Sequence, residues 1–172
     1  MTRRRLVSLV LLALASAMAV PAAHGQTAPG AEWRTFEGTW TASGLRQALP
    51  TASGRPAGTF QLSGALSLTG GAGLSRGFRG EAIGYDNGAG VLVGHSVWTD
   101  ERGDRVYSQL RSETVAAGRL VTGAVVGGTG RYAGLTGEFT FEWQYVVEGE
   151  GGTISGRAIG LRGRVRGGSG GQ

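Results

Sequence analysis

Four side chains in the middle of the chain are the best candidates for acid–base chemistry. His95 lies in an apolar segment and could act as a general base, because the pKa of an unperturbed histidine is near neutrality. Tyr107, Arg111 and Glu113 are an even number of residues apart and therefore share one face of a strand. If that face looked inward, Arg111 and Glu113 would be a buried polar pair of the kind found in active sites. An outward, solvated face is the favoured interpretation, as is a structural role for His95.

The composition excludes most other catalytic classes. The chain has no cysteine, which excludes disulfides, thiolate chemistry and cysteine-type zinc sites, and it has no lysine for a Schiff base. No Gly-x-Ser-x-Gly motif surrounds His95, and because His24 falls in the predicted leader there is no second histidine for a triad. The acidic turn over residues 100–104 lacks the ligand spacing of a calcium loop. We therefore predict no metal site.

The charge pattern does not favour nucleic-acid binding. The formal charge is +5, but three of the 17 arginines belong to the predicted leader, which leaves 14 against 12 acidic residues. Most of those arginines are interleaved with acids rather than gathered in a stripe, and no recognisable nucleic-acid-binding module is present.

An aromatic face is the best candidate for ligand binding. The segment over residues 138–147 alternates polar and aromatic side chains, so its rings share one side of a strand. Ordinary hydrophobic core is the favoured alternative, since stacked rings fill a small interior efficiently. The side chains predicted to line a cavity are Trp40, Phe60, Leu62, Phe139, Phe141, Trp143 and Tyr145.

The sequence pattern predicts eight β-strands separated by turns. Apolar and polar residues alternate along them with the period of two expected of strands, and the Asn87-Gly88 pair predicts a tight hairpin. The stretch from Gly44 to Pro56, with its two prolines, predicts a loop. The predicted strands are Phe36–Ala42, Thr59–Leu68, Arg76–Tyr85, Gly90–Thr99, Arg105–Glu113, Arg119–Val126, Glu138–Val147 and Thr153–Val165.

These segments predict an all-β protein, with a closed eight-stranded antiparallel barrel favoured over a β-sandwich. No segment after the leader sustains a helical period, and a closed barrel leaves no exposed strand edge. The 34 glycines fit the bent strands that a small barrel requires. The predicted domain covers residues 26–166, and residues 167–172 are predicted to be a disordered glycine-rich tail.

The first 25 residues have the pattern of a cleaved secretory signal peptide. Three arginines precede an apolar run over residues 6–20, and Ala23 and Gly25 supply the small residues of a cleavage site. The apolar run is shorter than the roughly 20 residues of a membrane span. We expect a secreted or periplasmic protein with no membrane span in its mature form.

The glycine-rich connection over residues 127–137 resembles the signature of the allene oxide cyclase and dirigent protein superfamily. In that signature a strand enters Gly-Gly-Thr/Ser-Gly, an aromatic and a small residue follow, and a glycine leads into the next strand. The matching residues are Gly127, Gly128, Thr129, Gly130, Tyr132 and Gly137. The resemblance implies an eight-stranded barrel with an apolar cavity, assembly into dimers or trimers, and cofactor-free cyclisation or radical-coupling activities. The family's catalytic acids have no matching motif in this chain.

Three functions remain open from the sequence. The first is an exported barrel that binds a small apolar or aromatic ligand, which predicts a cavity of a few hundred Å³. The second is a cofactor-free cyclase or isomerase acting on a reactive hydrophobic substrate, which needs an inward ionisable group. The third is a filled barrel that forms oligomers or binds a partner through an exposed apolar patch. The residues suggested for that patch are Ile83, Tyr85, Ile159 and Leu161.

Overall fold

A computed structural model describes residues 32–52, 54–70, 73–115 and 118–167, without the side chains of residues 113–115 and 118. The predicted leader and the predicted tail from residue 168 onward lie outside the described residues. The strands are β1 (Arg34–Leu49), β2 (Ala57–Thr69), β3 (Gly77–Asp86), β4 (Val91–Thr99), β5 (Arg105–Val115), β6 (Gly118–Gly128), β7 (Thr136–Glu148) and β8 (Thr153–Arg166).

The eight strands form a closed antiparallel barrel, as the sequence predicted. Each strand pairs with the next along the chain, and β1 pairs with β8 to complete the circle. The sandwich alternative is therefore excluded. Short 3₁₀ turns, Gly130–Tyr132 and Glu150–Gly152, are the helical segments among the described residues, and neither is long or apolar enough to cross a membrane.

The alternating side chains sort into an inner and an outer layer. On β2, Leu62, Leu66 and Leu68 are buried inside the barrel, whereas Gln61 and Ser67 at the alternate positions are exposed. The period of two in the sequence therefore predicts correctly which face is buried.

The first hairpin is longer than the sequence predicted. β1 continues to Leu49, and its last residues pair with β2 as far as the Leu49–Ala57 pair, so the prediction of a loop from Gly44 to Pro56 is wrong for its first half. On the other side, Gly44 pairs with Ile154 of β8. Pairing with two neighbouring strands stabilises an extended backbone that the local composition does not favour.

Bulges change the phase of the alternation in β8. The register with β1 shifts between Gly38 and Trp40, next to Gly160, whose φ of +62° is in the left-handed region that suits glycine. Ile159 follows the regular alternation and is 41% exposed, whereas the extra residue turns Leu161 inward, so that it is only 3% exposed and lies in the core. The prediction that Leu161 belongs to an exposed apolar patch is therefore wrong.

The strand register defines two ends of the barrel. We call the end that carries the β2–β3, β4–β5 and β6–β7 connections the closed end. The other end carries the β1–β2, β3–β4, β5–β6 and β7–β8 connections, and we call it the open end.

Candidate functional site

A continuous column of aromatic rings runs through the barrel from one end to the other. Neighbouring ring centroids are 4.9–6.2 Å apart, which is the range of favourable ring contacts. The column passes in order through Tyr132, Phe78, Trp98, Phe139, Phe141, Trp40, Trp143 and Tyr145. The aromatic residues predicted from the sequence on β1 and β7 are therefore linked in one chain of ring contacts.

The glycine-rich connection between β6 and β7 seals the closed end. Tyr132 and Leu135 in this connection are 1% and 2% exposed, and the ring of Tyr132 packs 5.8 Å from that of Phe78. The hydroxyl of Tyr132 donates to Asp100 Oδ2 at 2.9 Å and accepts from the amide of Ser75 at 3.2 Å. Tyr132 therefore packs its ring against the closed end of the barrel.

Asp100 is the centre of a hydrogen-bond network at the closed end. Its Oδ1 accepts from the amides of Arg102 and Asp104 at 2.8 and 3.0 Å, and its Oδ2 accepts from Arg131 Nε at 2.9 Å and from Tyr132. Burial by itself raises the pKa of Asp100, but these hydrogen bonds outweigh it and hold the pKa below its usual value. Burial also raises the pKa of Tyr132 to about 12. Both oxygens of Asp100 and the hydroxyl of Tyr132 are therefore paired, which indicates a structural role.

The open end contains a cavity of about 40 Å³ inside the barrel. Six of the seven side chains predicted to line a cavity contact it, and the exception is Phe139, which packs deeper against Trp98. Phe60 is only partly buried and Tyr145 is 36% exposed, so these rings form the rim. The lining residues are Trp40, Phe60, Leu62, Ala82, Leu92, Leu110, Arg119, Val121, Phe141, Trp143 and Tyr145.

Arg119 introduces a charge into this otherwise apolar lining. It points inward from the start of β6, and its Nη2 pairs with Oδ2 of Asp86 on β3. The side chain of Asp86 is only 8% exposed, and its Oδ1 accepts from the amide of Gly88 at 3.0 Å. Arg119 Nη1 is buried and has no hydrogen-bond partner among the described side chains.

Tyr145 lies within electrostatic reach of this pair. Burial is the main cause that raises the pKa of Tyr145, and Arg46 and Arg119 partly oppose it by favouring the phenolate. Glu148 and Asp86 act in the same direction as burial. Tyr145 therefore lies beside the Asp86–Arg119 pair at the edge of the aromatic cavity, with the charges of Arg46 and Glu148 within electrostatic range.

Three of the four acid–base candidates from the sequence lie on the outer surface. His95 and Arg111 are exposed, and Tyr107 is half-buried on the outward face of β5. The backbone of Glu113 pairs with Val91 and Leu120, but its side chain lies outside the described residues. The favoured interpretation of an outward face is therefore confirmed for Tyr107 and Arg111. His95 and Arg111 contribute to a groove of about 630 Å³ on the outside of the barrel.

Several buried polar groups were not predicted from the sequence. Ser96, Ser108 and Ser112 point inward from β4 and β5, and their hydroxyls have no hydrogen-bond partner among the described residues, like the indole nitrogen of Trp40. Asp86 directly precedes the predicted Asn87-Gly88 turn and Arg119 begins a predicted strand, but neither was predicted to point inward. Their positions in the alternation were the available signal, because each is an even number of residues from a buried apolar position on its strand.

No metal centre is apparent in the part of the chain that the structure describes, where no group of three or more His, Asp or Glu side chains is close enough to hold an ion. Comparison with protein-family models found no match to the chain, and a search of curated proteins also found none. The structure therefore defines the protein by its fold, a closed eight-stranded antiparallel β-barrel.

Proposed function

We propose that this is an exported barrel that binds a small apolar or aromatic molecule at its open end. The observation that carries the proposal is the cavity there, which six of the predicted ligand-binding side chains line, with the partly exposed rings of Phe60 and Tyr145 at its rim. Apolar pockets with a few polar groups that fix orientation are typical of small-molecule sites. Export rests on the leader pattern in residues 1–25.

The size of the cavity sets how a ligand enters. About 40 Å³ accommodates water-sized molecules, whereas an apolar cavity that takes up benzene has about 150 Å³. A ligand therefore has to displace the rim rings of Tyr145 and Phe60. Both rings border solvent, so their rotation enlarges the cavity without unpacking the aromatic column below.

A second candidate is a cofactor-free cyclase or isomerase in the same cavity. The observation that favours it is the inward carboxylate of Asp86 beside the guanidinium of Arg119, at the edge of the aromatic lining. Such a pair can hold a reactive substrate in one orientation and stabilise charge that develops on it. Resemblance of the loop over residues 127–137 to the allene oxide cyclase and dirigent superfamily supports both candidates, and also assembly into dimers or trimers.

Ligand binding is tested with neutral probes and two matched variants. We expect 2-phenylethanol or 1-hexanol to change the fluorescence of Trp40 and Trp143, which line the cavity. Leu92→Phe adds a ring inside the cavity and should abolish the change, whereas Val93→Phe adds the same ring to the outer face and should preserve it. Absence of binding by both probes at millimolar concentration would contradict the proposal.

Native mass spectrometry of the protein purified from its own host tests the proposal independently. A retained small molecule that is absent from the Leu92→Phe variant supports ligand binding, and the same spectrum gives the number of subunits. For the enzyme candidate, turnover of a candidate substrate should be lost in Asp86→Asn without loss of substrate binding.

A further inference from the structure

Arg119 spans the mouth of the barrel rather than pairing with an adjacent strand. It belongs to β6, whereas its partner Asp86 belongs to β3, and β4 and β5 lie between these strands in the sheet. The pair therefore bridges the lumen above the inward side chains Leu92 and Ser112. A molecule entering the cavity from the open end passes this bridge.

The bridge leaves one terminal nitrogen of the Arg119 guanidinium without a partner among the described residues. Both oxygens of Asp86 already accept hydrogen bonds, from Arg119 Nη2 and from the amide of Gly88. Arg119 Nη1 is buried without a partner among the described side chains. A buried, charged donor without an acceptor is costly, and a guanidinium presents its N–H groups in a fork that suits a carboxylate. Arg119 Nη1 is therefore available to donate a hydrogen bond to an oxygen of a ligand in the cavity.

The neighbourhood of Nη1 restricts the rest of such a ligand. Arg119 lines the cavity together with the rings of Phe141, Trp143 and Tyr145 and with aliphatic side chains. The closed end below is filled by the aromatic column, so a charged group cannot go deeper. An amphipathic ligand therefore places its apolar body on the rings and its anionic oxygen at the mouth.

We propose that Arg119 is the anchoring residue for an anionic group, so that the ligand of the barrel is a small aromatic or aliphatic acid carrying a carboxylate. This inference rests on the proposed function, because it names the class of ligand that the same cavity takes. Asp86 then acts as a positioning residue, which holds the guanidinium across the mouth and competes with the ligand for its charge.

Phenylacetate, 2-phenylethanol and 2-phenylethylamine test the inference, because they share one ring and differ in charge. We expect the wild-type protein to bind phenylacetate about ten- to a hundredfold more tightly than 2-phenylethanol, the range of a charge-assisted hydrogen bond, and to bind the amine most weakly. Isothermal titration calorimetry measures the three affinities, and tryptophan fluorescence places binding at the cavity.

Three variants separate anchoring from folding. Arg119→Gln should remove the preference for phenylacetate and leave 2-phenylethanol binding unchanged. Asp86→Asn should strengthen phenylacetate binding several-fold, because it frees the charge of Arg119. A purely structural bridge would make both variants weaken all three probes. Arg79→Gln breaks the exposed ion pair with Glu81, 68% and 42% exposed, and should change nothing.

The outcomes distinguish this inference from the proposed function. If 2-phenylethanol binds as tightly as phenylacetate, or if Arg119→Gln keeps the preference, the anchoring role is wrong and the apolar site stands. If no probe binds to the wild-type protein, the proposed function fails and the inference fails with it.

Discussion

The two ends of the barrel use the same kinds of residues in opposite ways. At the closed end, Asp100 accepts hydrogen bonds from Arg131, from Tyr132 and from two backbone amides, and Tyr132 is almost completely buried. At the open end, Asp86 and Arg119 form one bridge that leaves a guanidinium nitrogen without a partner among the described side chains, beside the 36% exposed Tyr145. The complete network stabilises the fold, whereas the incomplete one is available to a ligand.

This contrast explains where stability and function reside in a small barrel. Fully paired polar networks in a low-dielectric interior rigidify a structure, and a partly paired network is costly unless something else satisfies it. A closed sheet has two ends to cover, and here the connection over residues 128–135 covers one of them. Because the network at the open end is incomplete, we place the proposed ligand-binding site there.

The largest difference should appear when the two tyrosines are truncated. Tyr132→Ala removes a ring that is 1% exposed together with its hydrogen bonds, and we expect a loss of about 3–5 kcal/mol in the free energy of unfolding. Tyr145→Ala, at 36% exposure, should cost only about 1 kcal/mol. Urea denaturation followed by circular dichroism measures both, and equal losses would contradict the assignment of the two ends.

The second-largest difference in stability is expected when each of the two buried aspartates is replaced by asparagine. Asp100→Asn weakens a network of charge-assisted hydrogen bonds and should cost about 2–3 kcal/mol at neutral pH. Asp86→Asn keeps an oxygen for the amide of Gly88 and should cost about 1 kcal/mol. Thermal and urea unfolding of the two variants provide the comparison, which fails if Asp86→Asn is the more destabilised.

The contribution of Asp100 also has a defined dependence on pH. Its pKa is below the ordinary value of 3.8 in the folded protein, so the stabilisation is complete above about pH 4 and is lost as the pH falls through the folded pKa. We therefore expect the stability difference between wild type and Asp100→Asn to shrink as the pH falls below about 4. An undiminished difference at pH 2 would contradict this account.

Replacing two glycines of the connection over residues 127–137 by alanine distinguishes the cost of backbone strain from the cost of a steric contact. Gly130 and Gly134 both have positive φ, +52° and +74°, but a Cβ on Gly130 would lie 1.8 Å from the carboxylate of Asp104, whereas one on Gly134 would meet nothing within 4 Å. Gly134→Ala should cost about 1 kcal/mol from strain, and Gly130→Ala about 1 kcal/mol more. The same unfolding measurements test this, and similar losses would mean that the Asp104 contact is easily relieved.

The smallest effect is spectroscopic and concerns the hydroxyl of Tyr132. With its pKa raised from 10.0 to about 12, its burial stabilises the fold at pH values below 10, and this stabilisation is lost as the pH rises through about 12. In a phenolate absorbance titration, the difference between wild type and Tyr132→Phe should therefore appear only near pH 12. A difference centred near pH 10 would show that the closed end admits solvent.

The sequence predicts much of this fold because its signals are local. Alternation identifies the buried face of β2 and the aromatic face of β7, and the Asn87-Gly88 pair lies in the β3–β4 connection as expected. The continuation of β1 beyond Gly44 was not predicted, because pairing with two neighbouring strands stabilises it. The inward orientation of Leu161 was not predicted either, because a bulge determines it. Neither signal is visible in a single segment.

By itself the sequence determined the strand-forming segments, the inward aromatic side chains and the loop that carries Tyr132, because period, turn chemistry and ring size act over a few residues. Only the tertiary structure decided that Asp86 meets Arg119, since the two residues lie 33 positions apart on strands that are not adjacent. It also decided that one end is sealed while the other keeps a cavity. Closure of the sheet brings these distant groups together across the lumen, and no local pattern encodes that distance.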